Sequence, residues 1–410
     1  MFKTTFILGI GMSLGPLIQW LATPWLARAY APDAFGQLAV FMAISVVISG
    51  LSCMRHDAAI LVVQDSEVDA TAQLALCYAL AVAIIGGTLV TFFAPQIFGE
   101  KYSVLAENRL QLILSIVGAA VVLIGAALSM RHEKYTISAL LRVIQGTMYV
   151  LLALSVMDGL INAWSTAWVI AGVVSLAYLI INRRICKARQ LLNQAVILKD
   201  YSLNLTLTFF LDSLALVLPI LFINYYYGLA EVGSYSQVSK LIGAPILLVS
   251  ALIGQIFFQK SGKYYRSNQS SLGLFKICIF VLASLAIILL ITIIFFGHYL
   301  ADLILGEGWR IETIYLVMIS IPILFKAVVS PITTAFLTHG RTKALAFWQL
   351  IYFVLTLIIL ITVTLFKTSF ETFLIIYAVS EVFLYSIYGL LAFKVIQDTK
   401  FGVKNESIYL

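Results

Sequence analysis

Residues 30–63, YAPDAFGQLAVFMAISVVISGLSCMRHDAAILVV, form a long apolar stretch that is interrupted by charge, and they indicate the kind of fold that the chain adopts. Pro32 and Gly36 open it, as in a loop that leads into a helix, and the apolar run behind them is long enough to cross a bilayer. Three polar residues lie near its far end: Arg55, His56 and Asp57. A charged side chain at the bilayer centre costs about 3 kcal/mol even on insertion scales. We therefore expect these residues to have a partner or a function within the membrane.

The composition is that of an integral membrane protein. Hydrophobic residues make up 62% of the 410 positions, charged residues only 11%, and the mean hydropathy is +1.02. Soluble domains are about half apolar and a quarter charged, so lipid must cover much of this apolar surface. The four cysteines form no CxxC or CxxH pair, which indicates neither a zinc site nor a disulfide framework. We expect no metal and no cofactor.

Apolar runs of about 20 residues predict transmembrane helices along the whole chain. Twelve of them are 6–27, 36–63, 70–93, 110–130, 137–157, 163–181, 205–225, 234–258, 273–296, 311–337, 344–366 and 370–393. Strands are excluded because the runs are too long and do not alternate between apolar and polar residues. The predicted fold class is an all-α polytopic membrane protein of about 12 transmembrane helices. A glycine- and alanine-rich run at 118–127 favours close helix packing.

Lysine and arginine in the connections predict the orientation. With the N-terminus inside, sixteen lie on the inner face: Lys3, Arg131, Lys134, Arg183, Arg184, Lys187, Arg189, Lys199, Lys260, Lys263, Arg266, Arg341, Lys343, Lys394, Lys400 and Lys404. Five lie on the outer face: Arg28, Lys101, Arg109, Arg310 and Lys367. This asymmetry predicts that both termini are cytoplasmic, and it explains the net charge of +7 without nucleic-acid binding.

The chain divides near its middle. The longest polar connection, 183–200, separates helices six and seven, so we predict an N-terminal lobe at 1–190 and a C-terminal lobe at 191–410. Two short patterns repeat across the halves: Tyr30-x5-Gly36 with Tyr227-x5-Gly233, and a glycine turn after helix three (98–100) with another after helix nine (306–308). Two six-helix lobes in the same orientation are related by an axis along the membrane normal.

The motifs together resemble the bacterial O-antigen and polysaccharide-repeat-unit flippases of the multidrug/oligosaccharidyl-lipid/polysaccharide exporter superfamily. The resemblance is carried by the runs at 28–36 and 55–60, by Arg131 with Tyr135 and the Arg142-Val143-x-Gln145 run, by 233–258 and by the outer-loop run at 296–310. The family's usual Arg-Tyr-Glu is Arg55-His56-Asp57 here, which keeps the basic and acidic ends. The similarity covers nearly the whole chain.

This resemblance implies a function. Family members move undecaprenyl-diphosphate-linked oligosaccharides from the cytoplasmic to the periplasmic leaflet of the inner membrane. Their two lobes form a V around a central cavity that opens to alternate sides. The expected partners are therefore the lipid-linked oligosaccharide, membrane lipids and the polysaccharide polymerase machinery.

Four basic residues within predicted spans are candidates for binding the diphosphate: Arg55, Arg142, Lys240 and Lys326. Arginine suits this task because its planar fork binds phosphate oxygens bidentately. An interhelical ion pair is the alternative role for Arg55, and snorkelling to the interface is the alternative for Arg142 and Lys240. Lys326 lies between Pro322 and Pro331, where a bend in the helix favours a cavity.

Four residues are candidates for ion coupling or for counter-ions: Asp57, Asp212, Glu381 and His56. A helix places Arg55 and Asp57 about 200° apart, so we expect that they do not pair with each other. Buried carboxylates at 212 and 381 fit either a proton or sodium site or a counter-ion to Lys240 or Lys326. We expect His56 to bond to a neighbouring helix.

Two other functions remain open. A cation-coupled multidrug extruder of the same superfamily would share the architecture. A polymerase or acyltransferase of envelope assembly would need a large outer loop or a fixed catalytic set, and the loops here are short. A nucleotide-binding phosphate loop is absent from the sequence, which argues against direct ATP drive.

Overall fold

The chain is built of helices. The computed structural model describes residues 13–155, 159–181, 185–267, 269–309 and 311–398. Within these ranges it contains helices and turns and no β-strand, and eleven helices are long and apolar enough to cross a membrane. The all-α polytopic fold class is confirmed. The predicted helix at 6–27 begins outside the described residues.

The helices of the first half, numbered in chain order, are α1 (residues 13–21), α2 (Thr23–Ala29), α3 (Pro32–Ser52), α4 (His56–Ala59), α5 (Val68–Phe98), α6 (Ser103–Glu107), α7 (Arg109–Arg131), α8 (Tyr135–Ser155) and α9 (Leu160–Ile181). Those of the second half are α10 (Ala188–Ile197), α11 (Lys199–Tyr226), α12 (Leu229–Arg266), α13 (Leu272–Leu305), α14 (Thr313–Thr333), α15 (Ala335–Thr338), α16 (Thr342–Leu365) and α17 (Phe370–Asp398).

Most predicted runs correspond to one observed helix. The exceptions are the run at 6–27, which covers α1 and α2, the run at 36–63, and the run at 311–337, which covers α14 and α15. The single span predicted at 36–63 is wrong, because α3 ends at Ser52 and the short α4 begins at His56. Several other helices extend beyond the apolar runs. The 38 residues of α12 rise by about 57 Å, against a hydrocarbon layer of about 30 Å, so its polar ends must lie outside the layer.

Two compact units share the chain, Met1–Ser236 and Gln237–Leu410. The division falls within α12, later than the predicted boundary at 190 and 191. The difference arises because α11, which we assigned to the second lobe, packs against α3 in the first unit. A division by contacts does not test whether the sequence is duplicated, so the lobes 1–190 and 191–410 stay a prediction.

The first unit is organised around α7, which packs against α3, α5, α8 and α9. Small residues permit this, as the glycine- and alanine-rich run predicted. A Cβ on Gly118 would lie 2.4 Å from the carbonyl oxygen of Trp168 in α9. The backbones of α7 and α9 are therefore in direct contact, and the close packing expected from the run at 118–127 is confirmed.

The two glycines of the repeated Tyr-x5-Gly pattern meet in the first unit. A Cβ on Gly36 would lie 2.0 Å from the carbonyl oxygen of Leu229, and a Cβ on Gly233 would lie 2.0 Å from that of Pro32. The first turns of α3 and α12 thus touch through backbone atoms, at a distance that no larger side chain permits. The repeated pattern marks a contact between the two equivalent helix starts.

The second repeated pattern produces two matching turns. Gly99 ends α5 with φ 85°, and its N–H donates to Pro95. Gly306 ends α13 with φ 94°, and its N–H donates to Asp302. Both turns continue into one turn of 3₁₀ helix. A left-handed φ at the end of a helix favours glycine, which explains why this residue recurs in both halves.

In the second unit α14 packs against α13 and α17. Pro322 and Pro331 lie within α14. On one side Leu324 and Ala327 are buried against α12 and α13, in a cluster with Ile246 and Ala286. This packing aims the intervening Lys326 at α16 and α17, where its partners lie.

Candidate functional site

A left-handed turn between α3 and α4 holds the first group of candidate residues. Met54 has φ 46° and Arg55 has φ 56°, both in a region that costs an L-residue about 1–2 kcal/mol. Backbone bonds offset this cost, since Met54 N–H donates to Leu51 and His56 N–H donates to Cys53. Strain of this kind concentrates at functional sites. We call residues 53–57 the Arg55 turn.

Arg55 and Asp57 pair with each other on this turn. The Arg55 Nη1 lies 3.7 Å from the Asp57 Oδ2. The expectation that they do not pair is wrong, because Arg55 precedes α4 in a left-handed conformation and helical geometry does not relate the two side chains. The other carboxylate oxygen of Asp57, Oδ1, is buried and has no hydrogen-bond partner among the described residues. The pair is loose, and both groups keep unused hydrogen-bonding capacity.

An aromatic ring positions the Arg55 guanidinium. Its Cζ lies 5.0 Å from the centre of the Phe209 ring in α11, a cation–π contact. The side chain of Arg55 is 25% exposed. Phe209 also packs on α3, because a Cβ on Gly50 would lie 2.1 Å from the ring. The guanidinium is therefore held in place by a ring and one distant carboxylate, and it remains open to another anion.

His56 connects the turn to two neighbouring helices. Its Nδ1 lies 3.1 Å from the carbonyl oxygens of Cys53 and Met54, and its Nε2 lies 3.4 Å from the Ser202 hydroxyl of α11. Its ring centre is 5.1 Å from that of Tyr78 in α5. Burial lowers the pKa of His56, so the neutral ring is favoured. The contact with Ser202 is the expected hydrogen bond of His56 to a neighbouring helix.

Arg131 anchors the segment after the turn, a role that the sequence did not identify. Its guanidinium donates to the carbonyl oxygen of Ile60 and to the Asp65 carboxylate, with a distance of 2.6 Å to Asp65 Oδ1. The Arg131 side chain is only 15% exposed. The basic residue at the end of α7 thus ties down the chain that leaves α4. The one feature of the sequence that pointed to Arg131 was its position in the family-like run at 131–145.

The other candidates of the first unit lie apart from this turn. Arg142 is half-buried in α8, with its Cζ 5.6 Å from the centre of the Trp168 ring. Asp212 lies in α11 and is exposed. Asp212 lies within a candidate membrane span, and its exposure among the described residues does not test the predicted role of this carboxylate, which stays a prediction.

The second unit contains a network of four side chains, which we call the Lys326 cluster: Lys326, Tyr352, Glu381 and Tyr385. The Lys326 Nζ lies 2.9 Å from Glu381 Oε2 and 3.1 Å from the Tyr352 hydroxyl. Tyr352 in turn donates to Glu381, with 3.0 Å to Oε1. The Lys326 Nζ also lies 5.2 Å from the centre of the Tyr385 ring.

Burial in this network is unequal. The Glu381 side chain is 1% exposed and that of Lys326 is 22% exposed. The structure therefore places Glu381 as the counter-ion of Lys326, one of the two alternatives for this carboxylate. The ammonium is already neutralised by a direct ion pair, in contrast to the loosely paired Arg55. Lys240 is half-buried in α12.

Residues 25–314 match the sequence model of a family described as polysaccharide biosynthesis proteins. None of the curated protein sequences matches the chain significantly.

Solved structures of transporters share the fold. The lipid II flippase MurJ, in an inward closed conformation, superposes with a TM-score of 0.75 at 12% identity, over 97% of this chain and 90% of that chain. An inward-facing multidrug resistance MATE family transporter superposes with a TM-score of 0.60 at 17% identity, over 98% and 96%. An outward-facing transporter of that family superposes with a TM-score of 0.53 at 15% identity, over 97% of this chain and 96% of that chain. At these identities the likeness establishes the fold alone.

Proposed function

The chain belongs to the family of polysaccharide biosynthesis proteins, and from this membership we propose that it is a lipid-linked oligosaccharide flippase. It moves an undecaprenyl-diphosphate-linked oligosaccharide, the repeat unit of an O-antigen or a related polysaccharide, across the bacterial inner membrane. Transport runs from the cytoplasmic to the periplasmic leaflet by alternating access. Both termini are cytoplasmic, and a polysaccharide polymerase takes up the product.

The Arg55 turn carries this proposal. A diphosphate needs cationic donors that are partly desolvated but not saturated by a carboxylate. Arg55 meets this condition, since it is 25% exposed and its nearest carboxylate oxygen is 3.7 Å away. Its planar fork can donate to two diphosphate oxygens while the Phe209 ring lies against the guanidinium. Asp57 then keeps the free guanidinium in place between transport cycles.

The Lys326 cluster has a second role in this proposal. A lysine held at 2.9 Å by Glu381 is available to a phosphate only when Glu381 is protonated or displaced. Exchange of the carboxylate for the diphosphate would therefore couple substrate binding to a proton or a sodium ion. Arg142 and Lys240 are accessory cations for the substrate, and Asp212 is a further candidate for coupling.

The fold is shared by the solved flippase and by the multidrug transporters, so it does not distinguish between the two functions. The match to the polysaccharide biosynthesis family is what favours a flippase. The multidrug extruder shares the architecture and stays the alternative.

The test combines export in cells with transport by purified protein. Vesicles containing a fluorescent undecaprenyl-diphosphate oligosaccharide report the fraction of sugar accessible to an externally added glycosidase. We expect Arg55→Ala to insert normally and to lower transport by about 100-fold, as for the loss of a charge-assisted bidentate contact of about 3 kcal/mol. Arg55→Lys, which keeps the charge but not the fork, should retain part of the activity.

A matched control distinguishes the loss of this site from the loss of any positive charge. Arg109→Ala removes an exposed arginine at the start of α7 and should leave transport unchanged. Full transport by Arg55→Ala at normal abundance would remove Arg55 from the substrate site. Resistance to cationic drugs without polysaccharide export would instead assign the multidrug extruder. Covalent extension or acylation of the oligosaccharide would assign an envelope-assembly enzyme.

A further inference from the structure

A cleft in the second unit is lined by residues that do not belong to the Lys326 cluster. It has a volume of about 380 Å³ and lies where α15, α16 and α17 come together. This volume falls in the range of about 300–1,000 Å³ that is typical of small-molecule sites. Its lining is mainly apolar and includes Phe336, Phe347, Trp348 and Leu391. Two basic residues, Arg341 and Lys394, also line it.

One wall of the cleft is built on stacked aromatic rings. Trp348 stacks on Tyr388 with ring centres 5.4 Å apart and an interplanar angle of 14°, and Phe336 stacks on Tyr388 at 5.7 Å and 22°. Phe336 and Trp348 are 2% and 7% exposed. Phe347 and Leu391, by contrast, are 65% and 38% exposed. The cleft is therefore preformed on its inner side and opens past apolar side chains to the surface of the unit.

The two cations lie at the polar end of the cleft. Arg341 immediately precedes α16, and Lys394 lies four residues before the end of α17, about 6 Å along the helix axis. Both side chains are exposed, and neither has an ion-pair partner among the described residues. Both belong to the positively charged face that the sequence assigns to the cytoplasm. Cations at the cytoplasmic ends of transmembrane helices suit the anionic headgroups of that leaflet.

We propose that this cleft binds an anionic glycerophospholipid. The lipid phosphate lies between Arg341 and Lys394, and an acyl chain lies along Phe347 and Leu391. The argument is charge complementarity: basic pockets between transmembrane helices on the cytoplasmic side suit anionic headgroups, and an apolar cleft continuous with them suits the attached chain. The site shares no residue with the Arg55 turn or the Lys326 cluster, so it does not depend on the proposed transport function.

Native mass spectrometry of the purified, delipidated full chain tests the proposal. Phosphatidylglycerol and phosphatidylcholine with identical acyl chains are added at equal concentrations. We expect phosphatidylglycerol to bind in preference, at one lipid per chain that survives mild activation. Each cation near an anionic headgroup contributes about 1 kcal/mol to binding. Arg341→Gln and Lys394→Gln should therefore each lower the affinity for phosphatidylglycerol about fivefold.

Two further variants make the test specific. Lys343→Gln removes an exposed cation two residues from Arg341 that does not line the cleft, and it should bind like the parent protein. Ala344→Trp fills the cleft without a change of charge, and it should lose the lipid. Size-exclusion profiles and thermal unfolding establish that each variant is folded.

Several outcomes would overturn the proposal. Equal retention of both phospholipids, or an equal loss in Lys343→Gln, would show that the cleft does not select the anionic lipid. Displacement by inorganic phosphate would reveal a simple anion site, and unchanged binding in Ala344→Trp would show that no acyl chain enters. Tighter binding of undecaprenyl diphosphate than of phosphatidylglycerol would make the cleft part of the transport pathway.

Discussion

The Lys326 ammonium and the Glu381 carboxylate lie 2.9 Å apart in the second unit, with the carboxylate almost completely buried. The Tyr352 hydroxyl is a hydrogen-bond partner of both charged groups. Such a pair contributes little net stability relative to apolar residues, but it is costly to break from one side. This asymmetry makes the pair suitable for a switch and makes its energetics testable.

Glu381→Gln should destabilise the protein by about 3 kcal/mol, because it leaves the Lys326 charge half-buried without a counter-ion. The apparent melting temperature in detergent measures the effect. The double variant Lys326→Met with Glu381→Leu removes both charges and should recover most of the stability. If the single and double variants melt at the same temperature, the pair is not the source of the loss.

Two replacements of Arg55 should distinguish the effect of its backbone conformation on stability from the effect of its charge on transport. At φ 56° glycine avoids the cost that alanine retains, so Arg55→Gly should be more stable than Arg55→Ala by about 1 kcal/mol. Both variants lack the guanidinium and should lose transport equally. Met54→Gly, at φ 46°, is the matched control that should gain stability and keep transport. Transport by Arg55→Gly would contradict the role given to the side chain.

Gly36→Ala should separate the starts of α3 and α12. The new Cβ would lie 2.0 Å from the Leu229 carbonyl oxygen, so the helices must move apart at a cost of about 1–3 kcal/mol. Gly273→Ala is the control, because a Cβ there has no atom within 4 Å and the helix gains from alanine. Comparable melting temperatures for the two variants would show that the close approach is not required.

The stability of the protein should depend on pH through His56. Burial lowers the pKa of His56 from 6.5, so the unfolded chain binds more protons than the folded one near that pH. The free energy of unfolding is then highest above pH 6.5 and decreases as the pH falls below it. His56→Gln should reduce this decrease, measured as denaturant resistance at pH 7.5 and pH 5.5. The part of the decrease that persists in His56→Gln should come from His339, whose pKa is also lowered by burial. Equal slopes in both proteins would exclude titration of His56.

The class of the protein and the positions of most helices could be predicted from the amino-acid sequence. Hydropathy is a local property of about 20 residues, so runs such as 110–130 and 370–393 could be read without knowledge of their neighbours. The repeated glycines were also visible, because a close approach or a left-handed turn accepts few other residues. Gly36 with Gly233 and Gly99 with Gly306 occupy such positions in the structure.

The pairing of the charged side chains could not be predicted before the packing of the helices was known. The break after Ser52 brings Arg55 to Asp57, and apolar residues on both sides of it concealed the break from a reading of hydropathy. The choice of Lys326 as the partner of Glu381 and the exposure of Asp212 depend on how distant helices pack. The same holds for the cleft beside Trp348, whose walls come from three helices. Contacts between residues distant in the chain are set by the free energy of the whole fold, whereas insertion into a bilayer is set largely by each segment alone.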